Sequence, residues 1–124
     1  MDKKILIVED DAVSAGALSD YLRAHGYETS VARTGPEGVQ RFRDEKPDLM
    51  LVDVQLPLRN GFEVCFDVRR TPEGKKLPIV LMSAVYTDTA HAAPYAQKSL
   101  GVNDYVLKPF SLRSMLARVT TLLG

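Results

Sequence analysis

Hydrophobic residues along the chain fall into five short runs, separated by longer stretches with helical spacing. The first, third and fourth runs are continuously apolar, which is typical of strands covered on both faces. The second and fifth are shorter or more polar, as expected at sheet edges. This alternation predicts an α/β fold, a parallel sheet with helices on both faces because its crossovers are right-handed. The runs are residues 5–8, 29–32, 49–52, 79–82 and 105–107.

Four of the intervening stretches predict helices. The first ends near Gly26, since glycine readily takes the left-handed conformation that closes a helix. The second opens with Thr34 and Glu37, whose spacing predicts a reciprocal capping box. A third covers about residues 62–70, and the last, after Ser111, carries one apolar stripe. The apolar positions of the first helix are Val13, Ala17, Leu18, Tyr21 and Leu22.

The stretch between Met82 and Asn103 has little periodicity. Pro94 would interrupt any helix that starts near Thr89, because proline lacks the amide hydrogen and clashes with the preceding turn. We therefore predict a long loop and then a short helix, with Pro94 in its first turn and its end at residues 100–101.

The size and net charge of the chain argue against several classes of function. The 124 residues suit one domain over 1–124. Sixteen basic and sixteen acidic residues give no net charge, which argues against direct binding to nucleic acid or to a membrane surface. No apolar run approaches the roughly 20 residues of a membrane span, and the first residues lack the pattern of a signal peptide, so we expect a cytoplasmic protein. Cys65, the single cysteine, is expected to be a buried apolar residue.

Chemically active side chains follow four of the predicted strands. Glu9 and Asp10 come after the first strand, Asp53 after the third, Ser83 after the fourth and Lys108 after the fifth. Each has an ordinary explanation by itself, such as an acidic helix start or a turn residue. Because the carboxyl ends of parallel strands meet at one sheet edge, however, these groups should converge. Their joint placement favours a functional site.

The chemistry of that edge indicates a metal ion and a phosphate. Clustered carboxylates repel one another unless a cation holds them. Hard oxygen ligands suit Mg²⁺, which typically bridges a few carboxylates to phosphate oxygens. Lys108 can pair with Asp53 and later with a phosphoryl oxygen, and Ser83 can donate a hydrogen bond to the same group.

The order and spacing of these motifs resemble the receiver domain of bacterial two-component response regulators. The resemblance covers the whole chain. It implies a doubly wound, flavodoxin-like sheet of five parallel strands in the order 2-1-3-4-5. The motifs that carry it are ILIVEDD at 5–11, DVQLP at 53–57 with Gly61, MSA at 82–84 and DYVLKPF at 104–110.

This resemblance implies a phosphoacceptor site. Asp53 would take a phosphoryl group from a phosphohistidine of a sensor histidine kinase or a phosphotransfer protein. Mg²⁺ would be held by Asp10, Asp53 and the backbone carbonyl of Gln55, with Glu9 reaching the ion through water. Phosphoryl transfer of this kind needs mainly positioning and charge neutralisation. The domain would not be an enzyme beyond promoting its own phosphoryl transfer and a slow hydrolysis of the acyl phosphate.

The resemblance also implies a switch. Lys108 and Ser83 would stabilise the phosphoryl group, and Ser83 and Tyr105 would move in response to it. Gln55 and Val85 stand where the family tunes the lifetime of the phosphoryl group. The output face would be the fourth helix, the fifth strand and the fifth helix.

Further expectations concern one peptide bond, the stretch before the fifth strand and the two histidines. The bond between Lys108 and Pro109 is expected to be cis. The stretch 85–99 looks about three residues longer than in common members, so we expect a short or displaced fourth helix. His25 and His91 are expected in solvent or in loops. The output partner, an effector domain on the same chain and a dimer formed on phosphorylation stay open.

Three other classes of protein compete with a receiver domain as explanations of these residues. A phosphatase of the haloacid dehalogenase type needs a second acid two residues after the nucleophile, where this chain has Gln55. A flavodoxin-type electron carrier needs a hydroxyl- and glycine-rich phosphate loop, whereas Glu9 and Asp10 would repel a phosphate. The main alternative is a protein-interaction module that keeps the receiver fold and signals without phosphorylation, although the complete set of acids, Ser83 and Lys108 favours the phosphoacceptor.

Overall fold

The computed structural model describes residues 2–84, 94 and 96–124. Within them, five strands form one sheet in the order β2-β1-β3-β4-β5, and every neighbouring pair is parallel. The predicted fold class and strand order are therefore confirmed. The strands are β1 (Lys4–Val8), β2 (Glu28–Ala32), β3 (Leu49–Asp53), β4 (Ile79–Ser83) and β5 (Asp104–Leu107).

Helices cover both faces of the sheet, as the sequence predicts. Successive residues of β1 and β3 point to opposite faces, so each strand contributes side chains to two separate buried clusters. Helices α2 and α3 pack on one face, and α1 and the C-terminal helix pack on the other. Within the described residues, no helix is long and apolar enough to span a bilayer. The helices are α1 (Ala12–Ala24), α2 (Gly35–Glu45), α3 (Gly61–Arg69) and the C-terminal helix (Leu112–Leu123).

The buried face of α1 differs from the predicted one. Ala15, Leu18, Ser19 and Leu22 are buried, whereas Val13 is 80% exposed and Ala17 is exposed as well. Nine positions separate Val13 from Leu22, and at 3.6 residues per turn this distance places them on opposite sides of the helix. The predicted stripe was therefore too wide, and its first residue faces solvent.

The capping of α2 also differs from the prediction. Thr34 accepts a hydrogen bond from the backbone amide of Glu37 at 3.1 Å, as predicted. Glu37, however, accepts from the backbone amide of Arg33 at 3.0 Å and from Nε of Arg41 at 2.9 Å. The prediction that Glu37 accepts a hydrogen bond from the amide of Thr34 is wrong. Its carboxylate binds the amide of the preceding residue, Arg33, instead. A complete capping box forms instead at the start of α3.

A pH-dependent contribution follows from the position of Glu37. Its backbone hydrogen bond to Arg33, and then its pairing with Arg41, hold the pKa of this carboxyl below its usual value of 4.5. A lowered pKa stabilises the fold above the unfolded value, and this stabilisation is lost as the pH falls through the folded value. We expect Glu37→Gln to cost about 0.5 kcal/mol at pH 7, a small amount because more than a third of the side chain is exposed and solvent screens its interactions.

Urea denaturation at several pH values checks this expectation. The difference between Glu37→Gln and wild type should shrink as the pH falls below 4.5. Glu73→Gln is the matched control, since Glu73 is exposed in the connection between α3 and β4. An equal effect of Glu37→Gln at pH 7 and at pH 3 would contradict the electrostatic explanation.

The stretch before β5 is described in part. Pro94 and residues 96–99 are helical, and the helix ends before Leu100 and Gly101, where Gly101 has a φ of +64°. This end agrees with the predicted one. Val85, Thr89 and His91 lie outside the described residues, so the short or displaced fourth helix stays a prediction.

Two residues take the unreactive positions that the sequence predicts. Cys65 is fully buried in α3, and burial raises the pKa of its thiol to about 12. The thiol is therefore protonated at neutral pH and packs as an apolar group. His25 is exposed, with its Nδ1 2.8 Å from the carbonyl oxygen of Tyr21.

Candidate functional site

Asp53 ends β3 at the carboxyl edge of the sheet, and only 4% of the residue is exposed. Both of its carboxylate oxygens have partners. Oδ1 accepts a hydrogen bond from the backbone amide of Gln55 at 3.0 Å, and Oδ2 accepts one from Nζ of Lys108 at 2.8 Å. A buried charge needs such partners, because it has lost its hydration. The structure thus holds this carboxylate in a fixed orientation at the strand end.

Lys108 joins two buried acids rather than one. Besides Asp53, its ammonium donates a hydrogen bond to Oε1 of Glu9, the residue that follows β1 and is only 2% exposed. Sequence reasoning paired Lys108 with Asp53 alone and missed Glu9. The signal was available, since β1 and β3 are neighbours and both acids stand at their carboxyl ends.

The carboxyl of Glu9 and the ammonium of Lys108 both have shifted pKa values. Burial raises the pKa of Glu9, and the neighbouring Asp53 acts in the same direction, while the hydrogen bond from Lys108 opposes them. The net effect places the pKa of Glu9 above its usual value. For Lys108, burial lowers the pKa, but the hydrogen bonds to Asp53 and Glu9 outweigh it and raise the pKa overall. Lys108 is therefore a permanent cation at neutral pH.

Three carboxylates form a group that fits a divalent metal ion. One carboxylate oxygen from each of Glu9, Asp10 and Asp53 lies within 4.8 Å of the other two, and Asp10 is exposed to solvent. If all three ionise, the ammonium of Lys108 balances only one of their charges. The remaining excess of negative charge and the hard oxygen donors suit Mg²⁺, and the exposed Asp10 leaves a side of the group open.

Arg33 supports this group, and the sequence did not reveal it. Arg33 directly follows β2. Its guanidinium donates to the backbone carbonyl of Asp10, from Nε at 3.1 Å and from Nη2 at 2.6 Å. It therefore fixes the main chain beside one of the candidate metal ligands. The contact forms because β1 and β2 are adjacent strands, and Val8 and Ala32 pair at their ends.

Gly61 lets α3 approach the backbone of Asp53 closely. A Cβ atom at this position would lie 2.3 Å from the carbonyl oxygen of Asp53 and 2.7 Å from Cα of Val54. The amide of Gly61 also donates to the carbonyl of Val54 at 2.8 Å. The first residue of α3 therefore rests directly on the chain that carries the central carboxylate.

Substituting Gly61 should disturb the site through the main chain. We expect Gly61→Ala to destabilise the protein by about 1–3 kcal/mol, because the contact is with backbone that has no rotamer to change. Urea denaturation measures this cost. Gly16→Ala in α1 is the matched control, since beyond its chain neighbours and the backbone of its own helix no described atom lies within 4 Å of a Cβ built there. It should stabilise the helix by about 0.5–1 kcal/mol. An equal response of both variants would contradict the close approach.

Ser83 lies on β4, the strand next to that of Asp53, and Tyr105 lies on β5, one strand further along the sheet. Ser83 ends β4, is fully buried, and accepts a hydrogen bond on its carbonyl from the amide of Lys108 at 2.8 Å. Tyr105 is half-buried on β5, against the cluster that includes Ala96 and Leu100. The bond between Lys108 and Pro109 is cis, as predicted. The structure thus brings Ser83 and Lys108 to the same edge and places Tyr105 further back along β5.

A cleft of about 380 Å³ opens next to this edge. Glu9, Ser14 and Lys108 form its polar side, and the rest of its lining is apolar. The cleft therefore reaches the carboxylate group at Glu9. The apolar lining is Ala17, Leu18, Met82, Ala84, Pro109, Phe110 and Leu112.

Comparison with known families settles the class of the domain. A family model described as the response regulator receiver domain matches residues 5–120. The chain belongs to this family. Receiver domains act in two-component systems, use Mg²⁺ and interact with histidine kinases and phosphotransfer proteins. The phosphatase and flavodoxin alternatives are thereby set aside.

Solved receiver structures are similar over nearly their full length. A candidate response regulator from Chloroflexus aurantiacus is 36% identical, with 99% of this chain and 98% of that chain covered and a TM-score of 0.89. The BeF3-activated N-terminal receiver domain of RstA from Klebsiella pneumoniae is 33% identical, with 98% of each chain covered and a TM-score of 0.84.

A third similar structure contains a metal ion. It is the receiver domain of a sensor histidine kinase from Pseudomonas aeruginosa, with a magnesium ion coordinated in its active site cleft. It is 25% identical, covers 100% of this chain and 99% of its own, and has a TM-score of 0.88.

Proposed function

We propose that this domain accepts a phosphoryl group on Asp53 from a phosphohistidine of a sensor histidine kinase or phosphotransfer protein. The observation that carries the proposal is the placement of a buried Asp53 between the ammonium of Lys108 and a group of carboxylates. Its Oδ2 lies 2.8 Å from Nζ of Lys108, and one of its oxygens lies within 4.8 Å of an oxygen of Glu9 and an oxygen of Asp10. A fixed nucleophile beside a permanent cation is what phosphoryl transfer requires.

The transfer replaces one bond to phosphorus with another. A carboxylate oxygen of Asp53 forms the new P–O bond while the P–N bond to the imidazole breaks, and the electron pair of that bond returns to the ring nitrogen. The amide of Gln55 holds Oδ1 during this step, because its hydrogen bond fixes the carboxylate plane. Lys108 moves its hydrogen bond from the carboxylate to a phosphoryl oxygen and stabilises the product charge.

Mg²⁺ fits the carboxylate group and would be held by Asp10, Asp53 and the backbone carbonyl of Gln55, with Glu9 reaching it through water. When bound, it supplies positive charge that neutralises the phosphoryl oxygens. The magnesium ion coordinated in the similar kinase receiver supports this assignment. Arg33 keeps the main chain of Asp10 in place for it.

Phosphorylation then changes contacts at the ends of β4 and β5. Ser83 donates a hydrogen bond to a phosphoryl oxygen, and the ring of Tyr105 turns toward the space left behind. A ligand shifts such an equilibrium only through its different contacts with the two states, and these bonds exist only after phosphorylation. The fourth helix, β5 and the C-terminal helix form the output face, while Gln55 and Val85 tune the lifetime of the phosphoryl group.

In this proposal the domain is a cytoplasmic switch rather than an enzyme with an external substrate. It promotes its own phosphorylation and a slow hydrolysis of the acyl phosphate. The output goes to a partner protein, to an effector domain or to a second copy of the phosphorylated chain. The activated receiver of RstA carries BeF3, which mimics a phosphoryl group and supports the same chemistry here.

Beryllofluoride with Mg²⁺ tests the proposal on the unmodified protein. We expect ¹⁵N–¹H spectra to change at the amides around Asp53, Ser83 and Lys108 when both reagents are added, and to revert when EDTA removes the metal. Acetyl phosphate with Mg²⁺ should add the mass of one phosphoryl group. If neither reagent produces a response, the chain is instead a phosphorylation-independent interaction module with a receiver fold.

A further inference from the structure

Arg69, the last residue of α3, binds two separate connections of the fold through one guanidinium. Nη1 donates to the carbonyls of Gly74 at 2.6 Å and Leu77 at 2.7 Å, in the connection between α3 and β4. Nε donates to the carbonyl of Leu100 at 2.8 Å, and Nη2 to that of Gly101 at 2.8 Å, just before β5. One side chain thus joins α3 to the entrances of two strands.

The acceptors of this guanidinium within the described residues are all main-chain carbonyls. Burial lowers the pKa of Arg69, but an arginine side chain stays protonated in proteins. Its charge is therefore held by carbonyl dipoles in charge-assisted hydrogen bonds, which are roughly twice as strong as neutral ones. Only a planar fork with several donors can reach four carbonyls at once, so a lysine would not reproduce the arrangement.

The chain around Leu100 is held from its other side as well. The amides of Leu100 and Val102 both donate to the carbonyl of Ala96, at 3.2 and 3.1 Å. Asn103 exchanges two hydrogen bonds with Ile79, through its amide at 2.8 Å and through its Oδ1 at 3.0 Å. The entrance to β5 is consequently fixed to both α3 and β4.

The two ends of β5 therefore have different surroundings. Its first residue, Asp104, follows the segment that Arg69 and Asn103 hold, at the edge of the sheet away from the carboxylates. Its last residue, Leu107, pairs with Ser83 and precedes Lys108, whose Nζ contacts Asp53. Tyr105 lies between a fixed end and an end that contacts the proposed phosphoacceptor.

We propose that Arg69 is a positioning residue for the switch: it keeps the entrance of β5 stationary, so that a change at Ser83 and Lys108 is expressed at Tyr105. Without the fixed end, a displacement at the site would shift the whole strand and its entrance. With it, the displacement is confined to the part of β5 nearest the phosphoacceptor. The role in switching rests on the proposed function, whereas the fixed entrance is a property of the unphosphorylated domain.

Amide hydrogen exchange tests the fixed entrance in the unphosphorylated protein. We expect the amides of Leu100, Val102 and Asn103 to exchange at least about tenfold faster in Arg69→Lys than in wild type. In the variant, this segment can open without breaking the hydrogen bonds that the guanidinium donates in wild type. Arg70→Lys is the matched control, since Arg70 is the next residue, is exposed, and lies over the ring of Phe66 instead. Unchanged exchange in Arg69→Lys would overturn the proposal.

Beryllofluoride with Mg²⁺ tests the role in switching. In wild type, the spectral changes should reach Tyr105 and stop before Asn103, and in Arg69→Lys they should extend to Gly101 and Asn103. A residue that only stabilises the fold would lower the denaturation midpoint without changing which amides respond. An identical pattern in both proteins, or a wild-type response that already includes Gly101, would overturn the switching role. A wild type without any response would overturn the proposed function, and the exchange measurement would still decide whether the entrance is fixed.

Discussion

Replacing Asp53 with asparagine is expected to lower phosphorylation by acetyl phosphate more than about 100-fold, because the nucleophilic oxygen is lost. Asparagine has nearly the same shape, and its carbonyl oxygen can keep the hydrogen bond from the amide of Gln55. The fold should therefore survive, with Lys108 still paired to Glu9. Mass spectrometry after incubation with acetyl phosphate and Mg²⁺ measures the phosphorylated fraction directly.

The control for this experiment is Asp20→Asn, which removes an exposed carboxylate on α1. It should be phosphorylated like wild type, since Asp20 is on a helix surface and its loss leaves the carboxylate group intact. Phosphorylation of Asp53→Asn at the wild-type level would show that another residue is the acceptor. Peptide mapping of the phosphorylated wild type then identifies that residue.

Lys108→Ala is expected to have the largest effect on stability. In the folded protein the side chains of Glu9 and Asp53 are 3% and 6% exposed, and that of Lys108 is 22% exposed. Removing the ammonium leaves two buried carboxylates facing each other without their shared cation. Breaking a buried ion pair in this way costs about 3–5 kcal/mol, and the lower end applies because Lys108 retains some contact with solvent.

Mg²⁺ separates this electrostatic cost from a simple loss of packing. A divalent cation that binds the same carboxylates should return part of the stability of Lys108→Ala, since it binds the folded form only. Urea denaturation with and without Mg²⁺ gives the difference. Lys75→Ala, at an exposed position between α3 and β4, should change stability by less than about 0.5 kcal/mol. A Lys108→Ala variant as stable as wild type without metal would contradict the proposed role of the ammonium.

The secondary structure could be predicted because its signals are local. The continuous apolar runs of β1, β3 and β4 and the more polar β2 and β5 report how deeply each strand is buried, and the sheet order agrees with them. Helix boundaries were within a residue or two for α3, predicted over 62–70 and found at Gly61–Arg69. The face of α1 was harder to predict, since Ala15 is buried while Val13 and Ala17 on the same helix are exposed.

The candidate site could be predicted in part for a topological reason. Groups that follow different parallel strands must arrive at the same sheet edge, so the spacing of Glu9, Asp53 and Lys108 was enough to bring them together. Which of these groups would touch was a different question. The pairing of Lys108 with Glu9 depends on side-chain conformations and on burial, and neither is visible in the spacing.

The sequence by itself therefore determined the elements, the fold class and the family, together with the acids, the hydroxyl and the ammonium at the strand ends. Only the tertiary structure decided the contacts that hold them. Arg33 on the carbonyl of Asp10, Gly61 against the backbone of Asp53, and Arg69 across two connections join segments distant in the chain. Periodicity is a property of one segment, whereas these contacts depend on how the segments are arranged around the sheet, which local patterns do not encode.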